Sequence, residues 1–293
     1  MHVKYMLFAL LVSMIWGVNF AVMKVGLLHL DPYLFGFMRF SIVLLILLPW
    51  LKVVPGEMVK LFWLGLLIGG LQFVLVFKAM EMTNHVSAMS IVVQMNVPIS
   101  LILAHFFLNE RMSYWRTGGV IISFAGVVII TLEPEILEEG VVILIVLMAT
   151  ALYALGMILM RRLSKVPVFQ TQAWISLYSV PVFLAMTLIF EENQIPQMMS
   201  MDMTVISSVL YTSILSTIVG YGGINYLLRR FPVTLISPFM VTVPVFATIA
   251  SVIFLGETLT LKFILGSLVT LSGLGIIHLR DWQLKRKARD LLP

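Results

Sequence analysis

The sequence predicts an all-α integral membrane protein: ten transmembrane helices in two inverted five-helix repeats around a central cavity. Three observations predict it. Of 293 residues 60% are hydrophobic and only 11% charged, with a mean hydropathy of +1.05. An ordinary soluble domain is about 45–50% apolar and about 25% charged, so most of this chain must face lipid or other buried helices. Ten apolar segments follow one another with short loops between them, each near the roughly 20 residues that cross about 30 Å of hydrocarbon. Finally, the second half of the chain matches the first at a constant offset.

The spans are expected near residues 5–27, 34–53, 60–80, 84–107, 114–132, 141–162, 170–190, 204–228, 234–255 and 260–279. The first is a membrane helix rather than a signal peptide. Its apolar stretch is too long and no small-x-small cleavage site follows. With ten spans, both termini share one side of the membrane. That side receives Lys4, Lys52, Lys60, Arg111, Arg116, Arg161, Arg162, Lys165, Arg229, Arg230 and the basic residues of the tail. The opposite side keeps Lys24, Lys78 and Lys262, together with the acidic EPEILEEG at 133–140. Because cytoplasmic loops carry the excess of Lys and Arg, both termini are expected in the cytoplasm, and the composition suits a bacterial inner membrane. The net charge of +5 and the tail LRDWQLKRKARD then describe an anchor beside anionic lipid, with no call for nucleic acid.

The internal match pairs HFFLNERMSYWRTGGVIISFAGVVII (105–130) with VIFLGETLTLKFILGSLVTLSGLGII (252–277). Glu110 falls on Glu257, Gly119 on Gly266 and Gly126 on Gly273. A slightly shorter offset pairs MIWGVNF (14–20) with ALYALGM (151–157), the difference falling in the loop around 191–203. The expected units are residues 1–135 and 141–280, with a basic tail at 281–293. Five is odd, so the second unit enters the membrane inverted, as in secondary transporters that hold a solute near the midplane between halves. The small residues Gly119, Ser123 and Gly126, and Gly266, Thr270 and Gly273, share helical faces that permit close packing.

Polar residues within spans mark the candidate site, because each is costly in hydrocarbon. In IVVQMNVPIS (91–100), Pro98 removes the donor that the Gln94 carbonyl would use in a regular helix. Pro244 does the same to Met240 in the ninth span, one residue out of register under the repeat. Helices interrupted at matching places in two halves point to a transport site. Gln94 shares a face with Pro98 and is expected to look inward. Asn96, roughly 200° around the helix, belongs at the cavity edge or against a neighbouring helix. Trp16 and Asn19 share a face of the first span, Gln72 lies within the third, Tyr153 aligns with Trp16, and Tyr221 and Asn225 share a face of the eighth. These neutral amides and aromatics suit a small polar or zwitterionic solute. No Asp or Glu lies centrally in any span, which argues against a carrier of permanent cations. Arg39 and Lys78 are left as gating groups or partners for a substrate carboxylate. Lys24 is expected to snorkel to the interface.

The chain has no cysteine, so disulfides, thiolate metal sites and cysteine nucleophiles are excluded. The five histidines are scattered, and no HExxH, nucleophile–base pair or phosphate loop occurs. No metal, cofactor or enzymatic activity is expected. A broader efflux carrier for neutral drugs fits the same fold, and a non-transporting membrane scaffold or sensor is a further alternative.

The motifs WGVNFAVMKVGL (16–27), MRF (38–40), FFLNER (106–111), GGVIISFAGVVI (118–129), STIVGYGGINYLL (216–228) and FLGETLT (254–260) carry a resemblance. In this order the chain resembles the EamA-type branch of the drug/metabolite transporter superfamily over nearly its whole length. Through LQF at Gln72, VVQMN at Gln94 and TIVGYG at Tyr221, it looks most like exporters of O-acetylserine and cysteine. The resemblance implies export of small metabolites from the cytoplasm by alternating access, driven, if at all, by an ion gradient such as protons rather than by ATP. Monomer and homodimer are both compatible with it. Tyr153 and Gly156 depart from the first-half pattern of Trp16 and Asn19, so the second half's contribution is expected to differ.

Overall fold

Proline and glycine punctuate the chain where helices begin, break and end. The computed structural model describes residues 2–108, 113–163, 166–231 and 233–290. Glu110, Arg111 and Lys165, which entered the repeat and charge patterns above, lie outside them. Among the described residues there is no strand. Eight helices are long and apolar enough to cross a membrane: α1 (Val3–Leu27), α2 (Pro32–Trp50), α3 (Met58–Met82), α4 (Val86–Phe107), α5 (Tyr114–Thr131), α6 (Gly140–Met160), α7 (Val168–Phe190) and α8 (Met203–Leu228). The ninth, α9, is formed by two pieces, Val233–Met240 and Val243–Leu255. The last, α10 (Leu261–Asp290), begins with the shorter apolar stretch Leu261–Ile277 and runs past its expected end into the tail.

Local chemistry explains the boundaries. Pro32 opens α2, where a missing N–H costs nothing. Asp202 caps α8 by accepting from the Val205 amide at 2.9 Å. Gly256 ends α9 with φ +68°, a left-handed stop that other residues rarely adopt.

The expected break in α4 is present as a turn at Gln94–Met95. α9 breaks at Val241–Thr242, the positions that coincide with Gln94–Met95 under the repeat offset, although the prolines differ by one. The Gln94 carbonyl is not left free, however. The Val97 amide donates to it at 3.2 Å, tightening the chain by one residue where Pro98 has no hydrogen to give.

A second pair of irregularities had no sequence signal. Residues Gly65–Leu71 of α3 and Tyr211–Gly220 of α8 are wound as π-helix, and the offset superposes them. Such wide turns misalign carbonyls and occur often at functional sites. In α8, the Thr217 hydroxyl donates to the Thr212 carbonyl at 2.9 Å within the widened stretch.

The two halves meet most closely along α5 and α10. Gly119 lies against the Gly273 carbonyl and the Ile277 side chain, Gly126 against Thr270 and the Gly266 carbonyl. Gly266 in turn meets the Gly126 carbonyl and Ile130, and Gly273 meets Ser123 and the Gly119 carbonyl. The helices therefore run antiparallel, and the repeat offset turns each contact into its mate. Ser123 donates to the Thr270 carbonyl at 3.3 Å at the centre.

The start of α1 and the end of the apolar stretch of α10 share one side, here termed the tail side. Toward the far side, the interior is an apolar cluster that includes Phe35, Phe40, Phe77, Met80, Met89 and Phe183. Phe40 stacks on Phe183 at 5.4 Å, and Phe77 meets Phe183 edge-on at 5.6 Å. Polar clamps close the far face above it. Both Glu191 oxygens accept backbone amides at the start of α2, Tyr33 at 2.6 Å and Leu34 at 2.9 Å. Gln197 donates to Asp31 at 2.6 Å. Glu257 accepts from the amide and hydroxyl of Ser87 at the start of α4, and Glu139 from Thr83 and Asn84. Lys24 does not snorkel: it is 8% exposed and donates to the carbonyls of Met80 and Glu81 at 3.1 and 2.9 Å. The end of α3 offers unpaired carbonyls there, and satisfying them holds the ammonium inside.

Candidate functional site

Arg39 sits in the middle of α2, one turn below the Phe35 layer, and is 2% exposed. Its Nη2 donates to the Thr217 hydroxyl at 3.1 Å, which itself donates into the widened turn of α8. Its Nε and Nη1 are buried without a hydrogen-bond partner. The guanidinium lies 4.5 Å from the Phe73 ring centre and 5.6 Å from that of Phe40. Ring faces offset part of the desolvation of a cation, but they do not replace acceptors for the two idle donors.

Arg39 also lines a small chamber of about 30 Å³ between the two halves, room for roughly two waters. Arg39, Phe40, Ile68 and Phe73 line it from the first half, and Tyr153, Met157, Met160, Gln172, Ile175, Thr217 and Tyr221 from the second. Met160 ends α6 and Gln172 lies in the first turns of α7, so the chamber lies toward the tail side, with the phenylalanine cluster between it and the far face.

The structure gathers Arg39, Tyr153 and Tyr221 of the sequence candidates into this chamber. Trp16 adjoins it: its ring is 5.3 Å from that of Tyr221, and its Nε1 donates to the Ser216 carbonyl at 3.0 Å, fixing α1 against the π-helical stretch. Asn19 and Gln72 each bury an amide oxygen without a partner, yet neither lines the chamber. Gln94, Asn96 and Asn225 do not line it either. Gln94 and Asn96 flank the α4 break, half-buried. Pro98 and Pro244 are buried next to the two breaks. Lys78 lies at the far face, 42% exposed and paired with Glu81 at 2.5 Å.

Sequence reasoning missed Gln172 and Thr217. Gln172, in QTQAW near the start of α7, was visible as an intramembrane amide. Thr217 is an ordinary hydroxyl until the wound-out turn of α8 presents it to Arg39. Among the described residues no cluster of His, Asp and Glu could hold a metal. A larger open groove of about 560 Å³ lies on a neighbouring face of α8, lined by Lys4, Tyr5, Phe8, Phe169 and Tyr226 among others. Alternate residues of α8, Thr217 and Tyr221 against Ile218 and Gly222, separate groove from chamber.

Two inverted five-helix units with a buried arginine and a small chamber between them make up a ten-helix membrane protein. The chain belongs to the EamA-like transporter family, whose model matches it twice, at residues 3–132 and 140–279. It is 30% identical to a protein of Salmonella typhimurium named "Probable amino-acid metabolite efflux pump", over 96% of each chain. A protein of the same name from Escherichia coli is 29% identical over 92% of each. An "Uncharacterized transporter" of Archaeoglobus fulgidus is 29% identical, over 94% of this chain and 98% of its own. A solved crystal structure at 15% identity superposes with a TM-score of 0.65, covering 97% of this chain and 99% of that one, which shows the shared fold.

Proposed function

We propose that the chain is a secondary exporter of small amino-acid metabolites that works by alternating access of its two halves around the Arg39 chamber. The observation that carries this is the buried Arg39 guanidinium, with two unpaired donors, beside a small cavity between the two halves. A carboxylate is the group that such donors recognise best. The names of the bacterial relatives support an amino-acid metabolite as the solute. The excess of Lys and Arg in the tail-side loops supports cytoplasmic termini in a bacterial inner membrane. The chamber then lies toward the cytoplasm, and the packed phenylalanines are the barrier to the outside. Export requires the far-face clamps to part while Met157, Met160 and their neighbours close behind the solute.

The test is uptake into inverted vesicles of labelled cysteine, O-acetylserine, aromatic amino acids and a lipophilic cation. Concentrative or facilitated uptake of amino-acid solutes is expected. Movement of the cation without the amino acids overturns the proposal, since Arg39 repels a cation from the chamber it lines.

A further inference from the structure

We propose that the open groove on the tail side of α8 binds one anionic phospholipid, with its headgroup held by Lys4 and Arg230 and an acyl chain lying along the groove. The site goes beyond the transport reading and does not depend on which solute the chamber takes.

The groove is polar at one end and apolar along the rest. Lys4, Tyr5 and Tyr226 line its tail-side end, and Phe8, Phe169 and Val219 line the deeper part. Val219 and Tyr226 are seven residues apart on α8, so the apolar wall runs about 10 Å into the span. Between them lie Gly222 and Gly223, which bring the walls close to a bare helix surface. A Cβ on Gly222 would stand 3.0 Å from the Phe169 ring, and one on Gly223 would stand 2.8 Å from Val12 and 3.2 Å from Phe8. A trough of this length, walled by one aromatic ring from α1 and another from α7, fits a run of methylenes.

Two cations stand at the mouth. The Lys4 ammonium lies 5.1 Å from the centre of the Tyr5 ring, and the Arg230 guanidinium 3.9 Å from that of Tyr226. Ring faces hold cations in place but do not neutralise them. Both side chains are exposed, and among the described residues neither forms a salt bridge. No acid or amide is among the described residues that line the groove.

That charge selects the occupant. A phosphodiester without an amine brings the missing negative charge to the mouth. The ammonium of phosphatidylethanolamine, or of a free amino acid, meets two like charges there. Basic pockets between transmembrane helices take anionic headgroups in this way, and tyrosines favour the depth at which headgroups sit. A helix from another protein would cover the apolar wall and leave both cations without a counter-charge.

Groove and chamber share two turns of α8. Ile218 and Gly222 face the groove, and Thr217 and Tyr221 face the chamber. A lipid seated in the groove therefore braces the stretch that presents Thr217 to Arg39.

The experiment titrates the delipidated full-length protein in detergent with phosphatidylglycerol or phosphatidylethanolamine of the same acyl chains, and counts bound lipids by native mass spectrometry. One phosphatidylglycerol should bind at least tenfold more tightly than phosphatidylethanolamine. Lys4→Gln with Arg230→Gln should abolish that preference. Lys60→Gln with Arg116→Gln, which removes as much tail-side charge outside the groove, should preserve it. Val219→Trp, which fills the groove and spares both cations, should weaken both lipids at least fivefold. Should the variants fail to fold, the unaltered protein still decides the question. A phosphatidylglycerol with a photoreactive group on its acyl chain should label the segment 218–223 or Phe8. Equal affinity for the two lipids, equal loss in both charge pairs, no effect of Val219→Trp, or labelling confined to other segments overturns the proposal. So does a dimer that forms in place of the lipid adduct, since a second copy would then occupy the groove.

Discussion

Arg39 shows how one side chain can be legible in a sequence while its partners are not. A cation inside a span with no acid nearby in sequence must be satisfied by something distant, and that much is readable from MRF at 38–40. What satisfies it is Thr217, exposed to Arg39 by a π-helical stretch that no residue pattern announces. Gln94 is the opposite case. Its expected role followed from a carbonyl released by Pro98, but one residue of local tightening brings the Val97 amide to that carbonyl, and the side chain stays outside the chamber lining. Sequence spacing locates the break; it does not say where the broken ends turn. Accordingly, Arg39→Gln should lower transport at least tenfold, a loss of about 1.4 kcal/mol or more of solute recognition. Thr217→Val, which removes one of several guanidinium contacts, should cost severalfold, and Gln94→Ala less than either. Initial rates in vesicles at matched protein content check the ranking.

The paired helices α5 and α10 translate their small residues into a distance of approach. A Cβ at Gly126 would lie 2.6 Å from the Gly266 carbonyl oxygen, so backbone must move, and overpacking of this kind costs about 1–3 kcal/mol. Gly118, on the same helix, meets nothing within 4 Å, and alanine there should gain about 0.5–1 kcal/mol from helix propensity. Thermal unfolding in detergent of Gly126→Ala and Gly118→Ala should therefore move in opposite directions. The far-face clamps carry a pH dependence. Burial raises the Glu191 carboxyl above the usual glutamate range against the pull of the Tyr33 and Leu34 amides, with Asp31 adding to the rise. Lys78 and Glu81 also face this corner, through Tyr33. Burial raises Glu257 likewise, opposed by its bonds to Ser87 and by His85. A raised folded value means that the proton binds more tightly to the clamped form than to a carboxyl freed into water. The proton-linked stability is present below the ordinary value near about 4.3 and is lost as pH rises through the raised one. Acidifying the far side into that window should therefore favour the closed far face, and spin labels placed at the exposed far-face positions Leu28 and Met199 should report a narrower distance distribution. A broader distribution in acid contradicts this.

At the scale of the whole molecule, ten spans and an inverted pairing were legible because hydrocarbon imposes length and because Gly119, Gly126, Gly266 and Gly273 recur in register. The depth of the chamber and the identity of its walls were not, since they depend on which faces of α2, α6, α7 and α8 converge. The absence of cysteine makes the required motion directly testable. Asp31 and Gln197 touch across the far face, one at the start of α2 and the other in the connection between α7 and α8. Joining cysteines at these two positions with a short bis-methanethiosulfonate, which forms a disulfide at each end, should abolish transport, and reduction should restore it. Undiminished transport in the fully cross-linked protein would rule out an opening between these elements.

The reciprocal contacts of α5 and α10 make the seam isologous, the kind of surface two copies of a subunit use to form a symmetric dimer, here contained in one polypeptide. A surface that is its own complement does not need the covalent connection between its two parts. Halves produced as separate chains, divided in the 133–139 connection, should find one another in the bilayer, provided each inserts in its own orientation. The connection sets that orientation and guarantees equal numbers of each half; the glycines do the joining.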